Sequence, residues 1–570
     1  MATSNASDHL DQIRTGYTFT EPSIVLGAAK VEGEVHADCL VRLPLGMMNR
    51  HGLVAGATGT GKTITLQVLT EQLSEAGVPV FVSDVKGDLT GLSTPGTSSE
   101  KLLARTQSVG MQWEAKNYPV EYFALGGDGS GVPIRATITS FGPILLSRIL
   151  ELNETQESSL QLIFHYADQK GLELIDLKDL RSVISHLTSD EGKDELKDLG
   201  GLSKATAGVI LRELITLESQ GMEKFFGEPE FNTSELLRTA PDGRGVISSL
   251  ELSTLLQKPL LFSTFLMWLL ADLFQELPEV GDVEKPKLVF FLDEAHLLFR
   301  DASKAFLESI MTTVRLIRSK GVGIFFVTQT PKDVPADVLG QLANRVQHAL
   351  RAFTPDDAKA LKQTISTFPT SPYDLEEALT QAGTGEAIVT VMNESGAPTP
   401  VAWTKMWTPR SNMGASESGV VTAAVQASPL LNEYGTAVDR ESAFEKLSGD
   451  PAAGVPSTGG SAQGSSDGTT TQGSVSQGSP AGAEQDIHAE ARRIEEEILG
   501  RPANVPAGGS SAPESGPQSA PQEAPEPVKE APKSRPKPKD NVVMDVALDV
   551  ANQLGREFLR GIFGTRRRRR

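Results

Sequence analysis

The stretch Gly56-Ala57-Thr58-Gly59-Thr60-Gly61-Lys62-Thr63 constrains this chain more than any other. It fits G-x-x-x-x-G-K-[ST], the phosphate-binding loop. The apolar run Leu53-Val54-Ala55 precedes it and reads as a buried strand. After it, Ile64, Leu66, Val68, Leu69 and Leu73 are apolar while Glu71, Gln72 and Glu75 are polar, a helical pattern. The loop therefore joins a strand to a helix N-terminus, where backbone N–H groups and the helix dipole face an anion. The glycines allow close backbone approach and turns that a Cβ would obstruct. In this arrangement Lys62 can reach the β- and γ-phosphates of ATP, and Thr63 can offer its hydroxyl to Mg²⁺. An ordinary glycine-rich turn is the alternative, and the flanking strand and helix patterns weigh against it.

A phosphate loop needs acidic partners. The clearest buried strand, Leu288-Val289-Phe290-Phe291-Leu292, runs into Asp293-Glu294, a Walker B pattern. Asp293 at the strand end can orient Mg²⁺ through its water shell, and Glu294 can polarise a water for attack on the γ-phosphate. An acidic turn after a strand is the plainer reading. A third buried strand, Val322 to Thr328, ends in Gln329, either a sensor of the γ-phosphate or a strand-capping amide. The strand Val78 to Asp84 leaves Asp84 at a carboxyl end, where ligands collect in parallel α/β sheets. Asp84 can hold Mg²⁺ or a water, or simply shape the turn before Gly87. Arg315 and Arg318 precede the Gln329 strand and offer an arginine finger from a neighbouring subunit, or a solvated helix end. Arg345 and Arg351 are weaker candidates for that role.

These strands alternate with helical patterns, so the expected fold is α/β with a mostly parallel, doubly wound sheet. Residues 1–16 read as a loose leader. Residues 17–138 hold short β pieces, placed at the sheet edge, and the first part of the nucleotide-binding core. Residues 139–240 read as an all-α insertion, with Gly171, Gly200-Gly201 and Gly221 separating the helices. The core resumes over 241–412 with the Walker B pair, the sensor candidate and the arginines. Residues 413–540 form a low-complexity region expected to be disordered, with a short charged helix over 484–499. Residues 541–570 carry an amphipathic helix, with Val543, Val546, Val550, Leu554 and Phe558 on one face, and a tail of arginines from Arg566 to Arg570. The most apolar stretch, Pro259 to Phe274, carries Asp272 and is short for a bilayer span, so it reads as a core helix.

The net charge of −20 over 570 residues excludes a chain that binds polyanions over its whole surface, though not a local basic channel. Cys39 is the single cysteine, so no intrachain disulfide forms. With a polar start lacking an apolar signal core, this points to a soluble protein of the cytoplasm.

Three features together resemble the HerA/FtsK group of P-loop ATPases: GATGTGKT at 56–63; Asp84-Val85-Lys86-Gly87-Asp88 after the second strand; and Asp293-Glu294-Ala295-His296, followed by Arg318-x-x-Gly and a strand ending in Gln329. The bacterial HerA-like (YjgR-type) subgroup is the nearest in pattern, through Gly142 to Arg148, Phe225 to Pro229, Lys285 to Phe291, Arg315 to Gln329 and Asn344 to Arg351. The resemblance covers roughly residues 17–414 and the last helix. It implies a RecA-like (ASCE) core and a ring, most often hexameric, with ATP at subunit interfaces and DNA-translocase ancestry. It casts Gly56 to Thr63 as the ATP cradle, Lys62 and Thr63 as the phosphate and Mg²⁺ residues, and Asp293 and Glu294 as the Walker B pair. Gln329 becomes the sensor and Arg318 the finger. HerA enzymes carry an N-terminal β-barrel, whereas only about 50 residues precede the loop here, so the barrel is expected to be missing or reduced. The sequence thus suggests an ATP-hydrolysing DNA motor. The competing reading is an ATPase with a protein or membrane-associated client, favoured by the acidic charge and the last helix. A two-domain helicase, suggested by the letters D-E-A-H at 293–296, lacks a second RecA-like domain in residues 412–570.

Overall fold

The computed structural model describes residues 2–448, apart from 128, 197–199, 253–258, 282, 301 and 303. The apolar runs around the phosphate loop enter one sheet. Its strands are β1 (Ser23–Val31), β2 (Glu34–Pro44), β3 (Gly52–Ala55), β4 (Val80–Asp84), β5 (Val120–Leu125) and β6 (Val132–Ile134). They continue with β7 (Ile247–Glu251), β8 (Leu288–Leu292), β9 (Val322–Thr328), β10 (Asn344–His348), β11 (Glu386–Thr390) and β12 (Ala402–Met406). Their spatial order is β2-β1-β12-β11-β10-β3-β9-β8-β4-β7-β5-β6. Every pairing from β10 to β6 is parallel. From β10 outward to β2 every pairing is antiparallel. Strands β3, β4, β8 and β9 are buried at every position, because layers on both faces cover them. Strand β12, near the other edge, alternates buried and half-buried residues instead. This is a RecA-like α/β sheet with an antiparallel flank, and β9 lies between the phosphate-loop strand β3 and the Walker B strand β8.

The first helices are α1 (Ala2–Gly16), α2 (Lys62–Glu75) and α3 (Glu100–Ser108), with α4 (Ile138–Ile149), α5 (Glu154–Lys170), α6 (Leu177–Thr188) and α7 (Lys204–Ser219) between β6 and β7. The starts of α4, α5, α6 and α7 are capped by the side chains of Thr137, Asn153, Asp176 and Ser203. Gly142 breaks α4 with φ 77°, just before Pro143. The apolar stretch expected as a core helix is α8 (Pro259–Glu276), in which Leu261, Phe265, Trp268 and Leu269 are buried. Among the described residues no helix is long and apolar enough to cross a membrane. Next come α9 (His296–Phe299), α10 (Lys304–Ile317), α11 (Ala336–Leu339), α12 (Pro355–Ile365) and α13 (Leu375–Gln381).

Two expectations differ from the structure, and a third is sharpened by it. Residues 2–16, read as a loose leader, form α1. Ile13 near its end and Tyr17 just beyond are buried, and the Tyr17 hydroxyl donates to the carbonyls of Val389 (3.0 Å) and Pro400 (2.9 Å). The β pieces of 17–50 are a long hairpin, β1–β2, that joins the main sheet through β12. Residues 413–448, read as the start of a disordered region, include α14 (Ser418–Ala427), α15 (Pro429–Tyr434) and α16 (Ala443–Ser448). Buried Leu430, Tyr434 and Ala443 anchor them, and the Ser442 hydroxyl donates to Asp179 Oδ1 at 2.5 Å. This segment carries enough apolar residues to offset its ordering entropy, which the average composition beyond 412 concealed. The expected low-complexity run from 449 to 540, the helix at 484–499, and the helix and arginine tail of 541–570 lie outside the described residues.

One buried carboxylate holds α2 in place. Glu71 accepts from the Ser411 N–H (2.9 Å), the Ser411 hydroxyl (2.5 Å) and the Arg410 N–H (2.8 Å). Gln67, one turn earlier, donates to the Ser411 hydroxyl and the Asn412 carbonyl. Burial pushes the Glu71 carboxyl up to about 6, while the three donors pull it back. Glu71→Ala would orphan these donors in the interior, at a cost of about 2–3 kcal/mol. A lowered urea midpoint is the expected outcome, and an unchanged midpoint would show that the 409–412 segment does not depend on this contact.

Candidate active site at the carboxyl edge of the sheet

The loop after β3 is held from both sides. The Gly56 N–H donates to the Thr328 carbonyl (3.2 Å) at the end of β9, and the Ala57 N–H donates to the Ala349 carbonyl (2.8 Å) just beyond β10. Gly59 and Gly61 have φ of 77° and 114°, so a side chain at either position is strained. A Cβ on Gly56 would lie 2.5 Å from the Cβ of His348, so that glycine is needed for close approach. Thr58 and Gly59 face solvent, while the Thr60 hydroxyl closes the turn on the Ala57 carbonyl (2.7 Å). Lys62 and Thr63 open α2. The Lys62 ammonium donates to the carbonyls of Gly56 (2.6 Å) and Ala57 (3.2 Å), across the mouth of the loop. Burial lowers its pKa, and the charges of Glu294 and Asp293 oppose that shift, which places all three groups in one electrostatic neighbourhood.

A buried histidine braces the loop from below. His348 Nδ1 lies 2.9 Å from the Glu386 carbonyl, and its Nε2 lies 3.0 Å from the Thr65 hydroxyl on α2. The carbonyl can only accept, so Nδ1 carries the proton and Nε2 accepts from Thr65. The Gly385 N–H adds a bond to the Thr60 carbonyl (2.9 Å), and Arg105 on α3 donates to the Gly385 carbonyl (3.0 Å). Gly385 and Arg105 carry no motif, and the trace of His348 in the sequence is its place in the stretch Asn344 to Arg351.

The acidic pair stands two strands from the loop, at the end of β8. The Asp293 N–H donates to the Ser83 hydroxyl (2.9 Å), which fixes β8 against β4. Burial raises Asp293 to about 6, and the adjacent Glu294 charge adds to the rise. Burial also raises Glu294, but the Lys86 hydrogen bond and charge, then His296 and Lys62, outweigh it and leave the carboxyl below its usual range. Lys86 Nζ lies 2.5 Å from Glu294 Oε1. Glu294 Oε2 is buried 3.3 Å from His296 Nδ1, without hydrogen-bond geometry between them. Lys86 stands inside the Asp84-to-Asp88 motif at a strand end, but nothing in the sequence pairs it with Glu294.

The remaining candidates separate. Asp84 is buried, and its two oxygens accept from the Gly87 N–H (2.7 Å) and the Leu89 N–H (3.0 Å), so the carboxylate shapes the turn after β4. Burial raises it to about 6. Gln329 follows β9 on the exposed side of the same edge, next to the strand that receives Gly56. Asp333 accepts from the Thr328 hydroxyl (2.7 Å) and the Thr330 N–H (3.0 Å), which orders the turn around Gln329. Arg318 is exposed in the turn before β9, at the amino end of the sheet. The seven residues of β9 put about 20 Å between it and the acidic pair of its own chain. Arg315 is exposed on α10, Arg345 donates to the Thr367 hydroxyl, and Arg351 is exposed beyond β10.

Among the described residues no cluster of three or more His, Cys, Asp or Glu could hold a metal alone. A loop with Thr63 and one nearby carboxylate, Asp293, fits Mg²⁺, which is commonly held by one or two protein groups plus substrate phosphate.

Residues 30–504 match the family described as helicase HerA-like C-terminal. The DNA double-strand break repair helicase HerA of Sulfurisphaera tokodaii is 22% identical over 368 residues, 64% of this chain and 66% of the relative. The chain thus spans just under two thirds of that protein. The probable helicase MJECL08 of Methanocaldococcus jannaschii is 34% identical over 118 residues, 20% of this chain and 21% of the relative. Among solved structures, the bacterial conjugative coupling protein TrwBdeltaN70 aligns over 72% of this chain and 94% of its own, at 14% identity and TM-score 0.46. VirB4 of Thermoanaerobacter pseudethanolicus aligns over 68% and 98%, at 14% identity and TM-score 0.43.

His348 and His51 give this site's scaffold a defined acid limit. Both are fully buried, and burial lowers each from 6.5 to about 4. His51 accepts from the Ile324 N–H (3.0 Å) and donates to the Val314 carbonyl (2.7 Å), so it too is held neutral. The unfolded chain binds these protons first. The stability the two histidines contribute is therefore complete above 6.5 and lost as pH falls toward 4. Each is worth on the order of 3 kcal/mol over that interval. Unfolding free energy measured across it should fall less steeply in His348→Gln than in the native protein, and equal slopes would show that His348 titrates normally.

Proposed function

The chain belongs to the HerA-like C-terminal helicase family, and on that premise we propose that it is an ATP-hydrolysing motor working as a ring on DNA. The supporting observation is the juxtaposition, across β3-β9-β8, of a phosphate loop pinned open by its neighbours and a buried, paired Walker B glutamate. In this reading the loop from Gly56 to Thr63 cradles the ATP phosphates, with the Gly56 and Ala57 N–H groups anchoring it to Thr328 and Ala349, and Lys62 leaves the loop carbonyls to reach the β- and γ-oxygens. Thr63 and Asp293 hold Mg²⁺, which supplies charge neutralisation for the transferred phosphoryl group. Glu294 orients the attacking water and accepts its proton. Gln329 senses the γ-phosphate from β9. Asp84 acts by shaping its loop, since its oxygens already have donors.

Arg318 fits a finger acting in trans, because it is exposed and on the far side of its own sheet. That role requires a neighbouring subunit, and we infer a homo-oligomeric, hexameric ring in the cytoplasm. The net charge of −20 favours a second reading, a protein or membrane-associated client instead of DNA.

Lys62→Ala should abolish ATP binding, and Glu294→Gln should bind ATP yet lose on the order of a hundredfold or more in turnover. Full turnover in Glu294→Gln would remove Glu294 from the role of base. For the finger, mixing Arg318→Ala with Glu294→Gln subunits should recover activity at interfaces that unite two intact half-sites, and no rescue at any ratio would count against it. Steady-state ATPase rates with and without duplex or single-stranded DNA decide the substrate. A DNA-dependent rise that fades with salt supports the DNA motor, and a rate indifferent to every DNA form supports the protein client.

A further inference from the structure

We propose that Lys86 is a lock on Glu294, holding the carboxylate in a resting position until a phosphate draws the lysine ammonium away. The inference rests on the reading of Glu294 as the water-orienting group. Lys86 then acts through Glu294 and is a positioning residue.

The geometry is specific. Lys86 Nζ contacts Glu294 Oε1 at 2.5 Å, close even for a charge-assisted hydrogen bond. The other oxygen, Oε2, is buried against His296. Oε1 is thus taken up by the lysine, while Oε2 is buried out of solvent and accepts no hydrogen bond. The backbone supports the same arrangement. Glu294 has φ 47°, a left-handed conformation that non-glycine residues hold only where the surroundings impose it.

The two partners differ in how firmly they are held. The Glu294 side chain is 7% exposed and the Lys86 side chain 49%. Asp84 anchors the Lys86 loop by accepting from Gly87 and Leu89, so the main chain beneath Lys86 is fixed. The lysine arm, four methylenes long and half in solvent, is the part that can move. A phosphate oxygen arriving from solvent competes directly for its ammonium. When Lys86 swings to that anion, Glu294 Oε1 is released beside the phosphate loop. That anion is a backbone phosphate of DNA, which reaches the half-exposed arm from solvent.

The test compares full-length native protein with Lys86→Met and Lys86→Arg, measuring kcat, KM and the affinity for a fluorescent ATP analogue, with and without duplex DNA. Lys86→Met should raise kcat without DNA on the order of five-fold, the scale of one partly exposed ion pair. KM and nucleotide affinity should stay as in the native protein, and Lys86→Arg, which keeps the charge, should restore the native rate. DNA should lift the native rate to that of Lys86→Met and have no further effect on the variant. Native protein and variant responding to DNA in equal measure would overturn the lock. A kcat in Lys86→Met at or below the native value, or a loss of nucleotide affinity, overturns the lock. Lys62→Ala hydrolysing ATP at the native rate would instead overturn the site assignment beneath it, and the lock with it.

Discussion

The active edge depends on two backbone hydrogen bonds, from the Gly56 and Ala57 amides to the carbonyls at Thr328 and Ala349. They come from the strands on either side of β3, so the loop begins at a fixed height above the sheet. A phosphate cradle built of N–H groups works only if those groups already point at the ligand, because ordering them on binding would consume much of the interaction. Strands flanking β3 on both sides are what make that ordering permanent. His348, from β10, continues the brace into α2 through Thr65. Anything larger than glycine at 56 would push this histidine away and tilt the loop.

Two adjacent carboxylates then acquire different characters from their surroundings. Asp293 is buried with little compensation, and its affinity for a proton rises. Glu294, one residue on, is comparably hidden, but Lys86 and His296 hold it ionised. Neighbours in sequence pushed in opposite directions would suit the two tasks proposed for them, one beside a cation and one beside a water. The divergence comes from the turn after β8, where Glu294 takes a left-handed backbone and its carboxylate reaches Lys86.

The outer elements serve the same edge at a distance. The antiparallel flank and α1 extend the core around Tyr17 and Ile13. Residues 410–412 return across α2 to bind Glu71 and Gln67, so the helix that carries Lys62 is clamped at its middle as well as at its start. Farther out, Tyr434 and Ser442 tie the last described helices to Arg135 and Asp179.

By itself, the sequence determined the parts whose signal is local. The phosphate loop, the buried strands β3, β4, β8 and β9 and the acidic pair all read directly, because glycine spacing, unbroken apolar runs and a strand-ending Asp-Glu need no knowledge of distant residues. The helices between β6 and β7 were legible from their periodicity, whereas Glu121 interrupts β5 and Pro133 interrupts β6, so neither shows an unbroken apolar run. The tertiary structure decided what depends on residues far apart in the chain. It gave both Asp84 oxygens N–H donors from its own turn, set Arg318 at the opposite end of β9 from the acidic pair, and brought Lys86 and Glu294, 208 positions apart, into contact. It also ordered residues 2–16 and 418–448, whose few apolar side chains stabilise a helix only once the core supplies a surface to bury them against.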